Sequence, residues 1–306
     1  MMKKTKYIIP VLLFLAACGA KETSGVRDLE AERLYKINAI DTATLRTMID
    51  PDTVEGFDLL DNLTAEAWLL VDDKSGMVIS ERNADSRMYI ASLTKMMTCL
   101  LALEQGRDSD SLYITESDYV SRKSRVKLDQ GYLLRDLIDE MMLVSDNDAA
   151  YALARHIGGD TTAFCNKMNE KAAYLGMTST HYANPNGLPN DSNYSSAYDQ
   201  LRLARYCMED SVFARIVGST ETRVPLLDGR HMDCINTNRL LFTYDGCKGI
   251  KTGFTYQAGA CLAAVAERDD VRLYVIVLKS RNMRLRFTEA AILLDYGFRV
   301  MSGIHS

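Results

Sequence analysis

Apolar and polar positions change period several times along the chain, and those changes divide it. Residues 7–15 form a short unbroken apolar run behind Lys3, Lys4 and Lys6. That run is too short to cross a bilayer, and its order, charge first and apolar second, is that of an export signal. Residues 19 to about 28 are polar and read as a tether. Residues 29–48 have a loose helical pattern, which Asp50-Pro51-Asp52 breaks. From Ala65 the period becomes two, and residues 65–71 and 77–80, on either side of Asp72-Asp73-Lys74-Ser75-Gly76, predict a β-hairpin.

Residues 91–103 are then apolar on every face apart from a few small or special side chains, which predicts a helix buried inside a domain and stopped by Gly106. Residues 136–142 and 149–156 have amphipathic helical spacing, with Ser145-Asp146-Asn147 between them, and residues 161–175 and 198–208 are also helical. A loop rich in Asn, Pro and Gly, residues 183–193, separates the last two. Residues 249–254, 260–267 and 271–279 turn strand-like again, with a tight Asp269-Asp270 turn, and residues 285–297 close as a helix. Strands therefore flank a long helical middle, so a single sheet can be built from the two ends of the chain with the helical part as a subdomain between them.

Two polar residues stand out in the apolar stretch. A spacing of three puts Ser92 and Lys95 on one helical face, a nucleophile beside a potential base. In the first turn, unpaired N–H groups and the helix dipole favour negative charge on the serine oxygen, while burial favours a neutral, proton-accepting lysine. Ser124 and Lys127 share that spacing but sit among charges and read as a solvated loop. Ser145-Asp146-Asn147, in a helix-to-helix connection, presents a second hydroxyl and an amide. Lys251-Thr252-Gly253, on a predicted strand, combines a carboxylate-holding pair with a glycine that permits close backbone approach. Each motif alone also fits a structural role, as a core helix with a polar end, a cap, or a strand. Together, and in this order, they point to catalysis by an activated serine.

Composition narrows the reading. The 306 residues are 47% hydrophobic and 25% charged with a net charge of −5, enough for one large or two smaller cores. No basic tract or aromatic-basic stripe is present, so nucleic acid is not an expected partner. The four histidines show no paired ligand spacing, and no metal or cofactor is expected. Leu15-Ala16-Ala17-Cys18-Gly19 ends the export signal with small residues leading into a cysteine, which resembles a bacterial lipoprotein cleavage site. On that reading Cys18 is lipidated and the protein is exported and lipid-anchored to a bacterial membrane, facing the periplasm or the cell exterior. The six other cysteines have no C-x-x-C spacing and leave disulfide pairing open.

Residues 91–98 (Ala-Ser-Leu-Thr-Lys-Met-Met-Thr), 145–150 (Ser-Asp-Asn-Asp-Ala-Ala), 184–188 (Asn-Pro-Asn-Gly-Leu) and 249–255 (Gly-Ile-Lys-Thr-Gly-Phe-Thr) resemble the low-molecular-weight penicillin-binding proteins, serine-type D-alanyl-D-alanine carboxypeptidases. The resemblance covers about residues 60–298. It implies an α/β fold, an α/β/α sandwich on an antiparallel sheet with an inserted all-helical subdomain, as in β-lactamases and transpeptidases. The implied layout is a signal over 1–18, a tether and short helical segment over 19–58, the catalytic domain over 59–299 and a tail over 300–306.

The implied activity is removal of the terminal D-alanine from peptidoglycan stem pentapeptides through an acyl-enzyme, with β-lactam antibiotics as inhibitors. Catalytic roles fall on Ser92, Lys95, Ser145, Asn147 and Lys251, and substrate-binding roles on Thr252, Gly253, Phe254, Thr255 and Arg286, the backbone amides of Ser92 and Phe254 forming an oxyanion hole. Several relatives carry an arginine in the stretch written here Ser196-Ala197-Tyr198-Asp199, which Tyr198 does not replace; Arg286 is expected to serve instead. A D,D-endopeptidase acting on crosslinks uses the same residues. A β-lactamase is disfavoured because the Glu-x-x-Leu-Asn loop of class A enzymes is absent, and an inactive peptidoglycan binder has no need of a nucleophile beside a base.

Overall fold

The period-two stretches at the two ends of the chain pair with each other. The structure is a computed structural model that describes residues 58–121 and 124–305; the export signal, Cys18 and the tether expected from the sequence lie outside the described residues. After a short helix α1 (Asp58–Asp61), the hairpin β1 (Ala67–Asp72) and β2 (Val78–Arg82) forms as the alternation predicts. The chain returns to the same sheet only at β7 (Cys247–Thr255), β8 (Gly259–Arg268) and β9 (Val271–Ser280). The order is β2-β1-β9-β8-β7, with every neighbouring pair antiparallel. β1 meets β9 in register from Ala67 opposite Leu278 to Asp72 opposite Leu273, which joins the first and last fifths of the domain.

Alternate side chains of this sheet enter two different cores. On β9, Leu273, Val275 and Val277 face one layer while Tyr274, Ile276 and Leu278 face the other, and β8 divides in the same way. A strand covered on both sides must be apolar at nearly every position, which explains the unbroken apolar runs near the C-terminus. Each fully buried aliphatic side chain contributes about 1.5–3 kcal/mol. The last helix of the chain covers one face and buries Leu293 and Leu294 against Val275 and Val277. The other face meets the helical middle: α2 (Lys95–Gln105), α3 (Leu134–Leu143), α4 (Asn147–Gly158), α5 (Thr161–Tyr174), α6 (Ala197–Met208) and α7 (Ser211–Gly218).

The predicted helices of the middle appear within about two residues of their expected bounds, and three of them are capped at the N-terminus by a side chain. Asp146 caps α4, Asp160 caps α5 and Ser196 caps α6, each accepting from backbone N–H groups of the first turn. The sequence did not show α7, a short β3–β4 pair (Ser111–Tyr113 with Gly131–Leu133), the hairpin β5 (Glu221–Pro225) with β6 (His231–Ile235), or the single turn α8 (Leu240–Thr243). The buried helix predicted over 91–103 begins instead as a 3-10 turn, Ala91–Thr94, ahead of α2. The closing helix α9 runs over Leu285–His305, so the expected tail from residue 300 is its continuation, with Val300 and Met301 buried in the core beneath it. Among the described residues no helix is long and apolar enough to cross a membrane. Among the described residues, Cys99, Cys165, Cys207, Cys234, Cys247 and Cys261 form no disulfide.

Candidate active site

The 3-10 turn determines how Ser92 and Lys95 meet. With three residues per turn, positions i and i+3 eclipse one another, and Lys95 Nζ lies 3.0 Å from Ser92 Oγ. Ala91 enters the turn at φ 48°, a left-handed conformation, and the chain becomes α-helical only at Lys95. The apolar residues that follow are packed on all sides, so Lys95 is fully buried. Its nitrogen also donates to Asn147 Oδ1 at 2.8 Å and to the carbonyl of Asn186 at 2.7 Å.

These two further acceptors decide what a neutral lysine does here. An uncharged amine has two N–H donors and one lone pair. When Asn147 and Asn186 take the two donors, the lone pair is directed at Ser92 Oγ. Burial lowers the Lys95 pKa from 10.5 to about 7, with the negative charge of Asp146 opposing the shift. Near neutrality the lysine is therefore poised between its two forms.

Three segments hold this arrangement. The Asn184–Leu188 loop closes on itself, since Asn184 Oδ1 accepts from Gly187 N at 2.7 Å and Asn186 Oδ1 from Leu188 N at 2.9 Å. It is fastened to α2 by Thr98 Oγ1, which donates to the Pro185 carbonyl at 2.6 Å. Gly187 has φ 82°, and a Cβ there would lie 1.9 Å from the Ala91 carbonyl oxygen, so only glycine fits between this loop and the 3-10 turn. Second, Asp146 takes four donors: Ser124 Oγ, Arg125 N, Asp148 N and Ala149 N, at 2.5, 2.6, 3.0 and 3.1 Å. One carboxylate thus starts α4 and ties it to the 124–125 segment, leaving Ser145 and Asn147 on the cleft. Ser145 sits at φ 65° at the bend. The 124–127 stretch, expected as solvated loop, has Lys127 exposed, but Ser124 and Arg125 form part of the cleft wall.

The third segment is β7. A Cβ on Gly253 would lie 2.9 Å from Ile90 O and 3.0 Å from Ser92 N, so the glycine lets the strand run against the nucleophile's own backbone amide. Thr252 Oγ1 is 2.8 Å from Thr237 Oγ1. Lys251 is buried beneath the wall and donates to the Thr252 carbonyl at 3.2 Å. Burial lowers its pKa well below the ordinary value, and the charges of Lys95 and Arg286 push it the same way. Arg286, from the start of α9, donates from one terminal nitrogen to the Gly253 and Cys261 carbonyls at 2.8 and 3.4 Å. Burial lowers it to about 10, and its Nε has no partner.

The cleft so formed encloses about 370 Å³, and Ser92, Ser145, Asn147, Thr252, Gly253, Phe254 and Arg286 all line it. Of the other residues singled out in the sequence, Lys95 and Lys251 are buried behind this lining, and Thr255 stands apart from it. At the end of β7 its hydroxyl accepts from Ala258 N at 2.9 Å in the β7–β8 turn, and it does not line the cleft. Tyr198 lies elsewhere, hydrogen-bonded through its hydroxyl to Glu81 on β2. Thr237 and the Asn186 carbonyl were missed. Thr237 follows a strand too short to read, and a backbone carbonyl has no signature in side-chain pattern. Among the described residues no group of three or more His, Cys, Asp or Glu side chains is arranged to hold a metal ion.

Chemically, the site offers a serine whose proton has an acceptor, a strand and an amide against which a carbonyl fits, and cations behind one wall. Comparison with known proteins agrees. Residues 55–282 match the family described as D-alanyl-D-alanine carboxypeptidase. The carboxypeptidase DacB2 of Mycobacterium tuberculosis is 34% identical over 241 residues, which are 76% of this chain and 82% of that protein. DacF of Bacillus subtilis is 31% identical over 241 residues, 76% of this chain but 62% of the relative's length. The crystal structure of the Streptomyces K15 DD-transpeptidase superposes with a TM-score of 0.73 at 29% identity, covering 77% of this chain and 97% of that one.

Proposed function

The chain belongs to the D-alanyl-D-alanine carboxypeptidase family, and on the geometry of its cleft we propose that it removes the terminal D-alanine from peptidoglycan stem pentapeptides. The observation that carries this reading is the buried Lys95, which has two fixed acceptors besides Ser92 and a pKa lowered to about 7. Ser92 attacks the carbonyl between the two D-alanines while Lys95 takes its proton. The oxyanion is met by the amides of Ser92 and Phe254, a term of order ~3 kcal/mol per donor. The proton returns to the leaving amine by way of Lys95 and Ser145, and water hydrolyses the ester. The terminal carboxylate lies against Thr252, Thr237 and Arg286, in the field of Lys251. β-Lactams, which present an amide and a carboxylate in the same relation, acylate Ser92.

Export and lipidation at Cys18 belong to the same proposal and rest on the first eighteen residues alone. Incorporation of labelled palmitate that disappears in Cys18→Ser tests the anchor; unchanged labelling rejects it.

The activity is tested with the full-length chain in detergent, measuring D-alanine released from a pentapeptide ending in D-alanyl-D-alanine. Release by the wild type and none by Ser92→Ala is the expected result. A folded wild type that releases nothing overturns the assignment.

A further inference from the structure

Near Asp146 lies a buried acid that the reaction does not use. Glu140, in the last turn of α3, is fully buried. Its only side-chain hydrogen bond among the described residues is with Cys234 of β6, whose Sγ lies 2.6 Å from Oε2, and its Oε1 has no partner among them. Burial, reinforced by that carboxyl, holds the Cys234 thiol far above its ordinary pKa, so the thiol keeps its proton and donates it. Burial also raises Glu140 to about 7, with the bond from Cys234 opposing the shift and the charge of Asp146 adding to it. A buried carboxyl so thinly satisfied is costly, and an apolar side chain of the same size would fill the space at less cost. Packing alone therefore does not account for it.

Its position does. From Glu140 the chain runs on through the end of α3 to Ser145 and Asn147, which line one side of the cleft. From Cys234 it runs in three residues to Thr237, which is 2.8 Å from Thr252 on the other side, and then to Arg239, whose charge acts on Arg286. Two direct ties join these walls: the contact between thiol and carboxyl, and Thr237 N, which donates to the Leu143 carbonyl at 3.0 Å. Arg125 braces them from outside. Its amide donates to Asp146 at 2.6 Å and its Nη2 to the Asp233 carbonyl at 2.8 Å, with Nη1 3.9 Å from Cys234 Sγ. Segments 124–125, 140–146 and 233–237 are thus fastened together beside one buried carboxyl.

We propose that Glu140 is a positioning residue: by holding Cys234 it keeps Thr237, and with it the carboxylate-binding wall, at a fixed distance from Ser145 and Asn147. Glu140 touches no substrate and acts through Thr237 on the preference for a free terminal carboxylate. This rests on the carboxypeptidase reading and deepens it by naming a determinant of specificity. A side chain that packs as well but cannot hold the thiol lets the end of β6 shift, so the Thr237 hydroxyl is misplaced while the fold survives.

The test uses full-length protein and three variants: Glu140→Met, apolar and of similar length, Glu140→Gln, which keeps an acceptor oxygen, and Cys234→Ser, which keeps a donor. D-Alanine release from the pentapeptide is compared with D-alaninamide release from the same peptide ending in an amide. Glu140→Met is expected to raise KM for the free acid about tenfold, the worth of one well-placed hydrogen bond, with kcat and the amide substrate within about twofold of wild type. Its urea midpoint should equal or exceed that of the wild type, as replacement of a buried charge by a packed apolar group allows. Glu140→Gln and Cys234→Ser should recover most of the loss. If Glu140→Met does not fold, Cys234→Val removes the same contact from the other partner and is read in the same way. A folded variant with the wild-type KM for the free acid overturns the proposal, and so does an equal loss with both substrates, which marks a merely structural group. A wild type that releases no D-alanine overturns the carboxypeptidase reading alone. Acylation of Ser92 by a penicillin, relative to its methyl ester, then decides: a ratio about tenfold lower in Glu140→Met upholds the positioning role, and an unchanged ratio overturns it.

Discussion

The cleft has two lysines, and their surroundings are opposite in kind. Lys95 has three acceptors within 3.0 Å, from a side chain on α4, a loop carbonyl and the nucleophile itself, with the negative Asp146 near by. Lys251 has one carbonyl at 3.2 Å and two other basic side chains, Lys95 and Arg286, as neighbours, and Arg286 keeps an unpartnered Nε. The first environment is satisfied in the resting protein and changes only by gaining or losing a proton. The second is short of negative charge and is completed by an anion. One side of the cleft is therefore built to move a proton and the other to hold a carboxylate, although both are made from buried lysine.

If that division holds, preserving charge should fail on the first side and succeed on the second. Lys95→Arg keeps a cation near Asn147 and Asn186 but cannot become neutral near pH 7. We expect acylation of Ser92 by a β-lactam, followed by intact-protein mass spectrometry, to slow by about a thousandfold or more, the scale of a lost general base. Acylation within tenfold of wild type would show that Lys95 serves only as a positive charge, and the contrast between the two lysines would collapse.

On the carboxylate side, Arg286→Gln is expected to raise KM for a substrate with a free terminal carboxylate by about ten- to a hundredfold, the worth of one charged hydrogen bond. It should hardly alter kcat, or the rate with the terminal amide. Arg286→Lys should recover part of the loss. An equal fall in kcat for both substrates would instead place Arg286 in holding β7 through Gly253, to whose carbonyl it donates at 2.8 Å.

The same contrast explains what could be read from the sequence. The proton-moving side rests on short spacings that carry their own geometry: two residues between Ser92 and Lys95, one between Ser145 and Asn147. Even there a continuous helix was expected, and only the structure shows the 3-10 turn that eclipses the pair. The sheet was legible because strands buried on both faces, such as β8 and β9, leave long apolar runs. The rest of the carboxylate side was not. Thr237 and Arg239 follow β6, where Met232 and Cys234 alternate with the exposed His231, Asp233 and Ile235 over only five residues, too short a run to read as a strand. Thr255 looked like a ligand because it adjoins Lys251-Thr252-Gly253, but its place at the end of β7 commits it to the turn. The Asn186 carbonyl, which orients Lys95, is invisible to any pattern of side chains.

The finest test of the comparison is a stability measurement, because a base kept neutral by burial is stored against folding. Lys95 titrates at about 7 when folded and at its ordinary 10.5 when unfolded. Between those values the unfolded chain holds one more proton than the native protein, so native stability rises with pH there, by about 1.4 kcal/mol per unit for this group. Below pH 7 both states are protonated and above 10.5 both are neutral, so the slope vanishes on either side. The full cost below pH 7 is roughly 5 kcal/mol, opposed by the three hydrogen bonds Lys95 donates. Lys95→Met removes the titration and leaves the Asn147 and Asn186 oxygens unsatisfied, two effects of opposite sign, so its stability at a single pH decides little. The difference between variant and wild type decides more: measured by urea unfolding from pH 7.5 to 9.5, it should move in favour of the wild type by close to 1.4 kcal/mol for each unit. A difference that stays flat over that range would mean that Lys95 keeps its proton in the native state, and the assignment of proton transfer to one lysine and anion binding to the other would have to be exchanged.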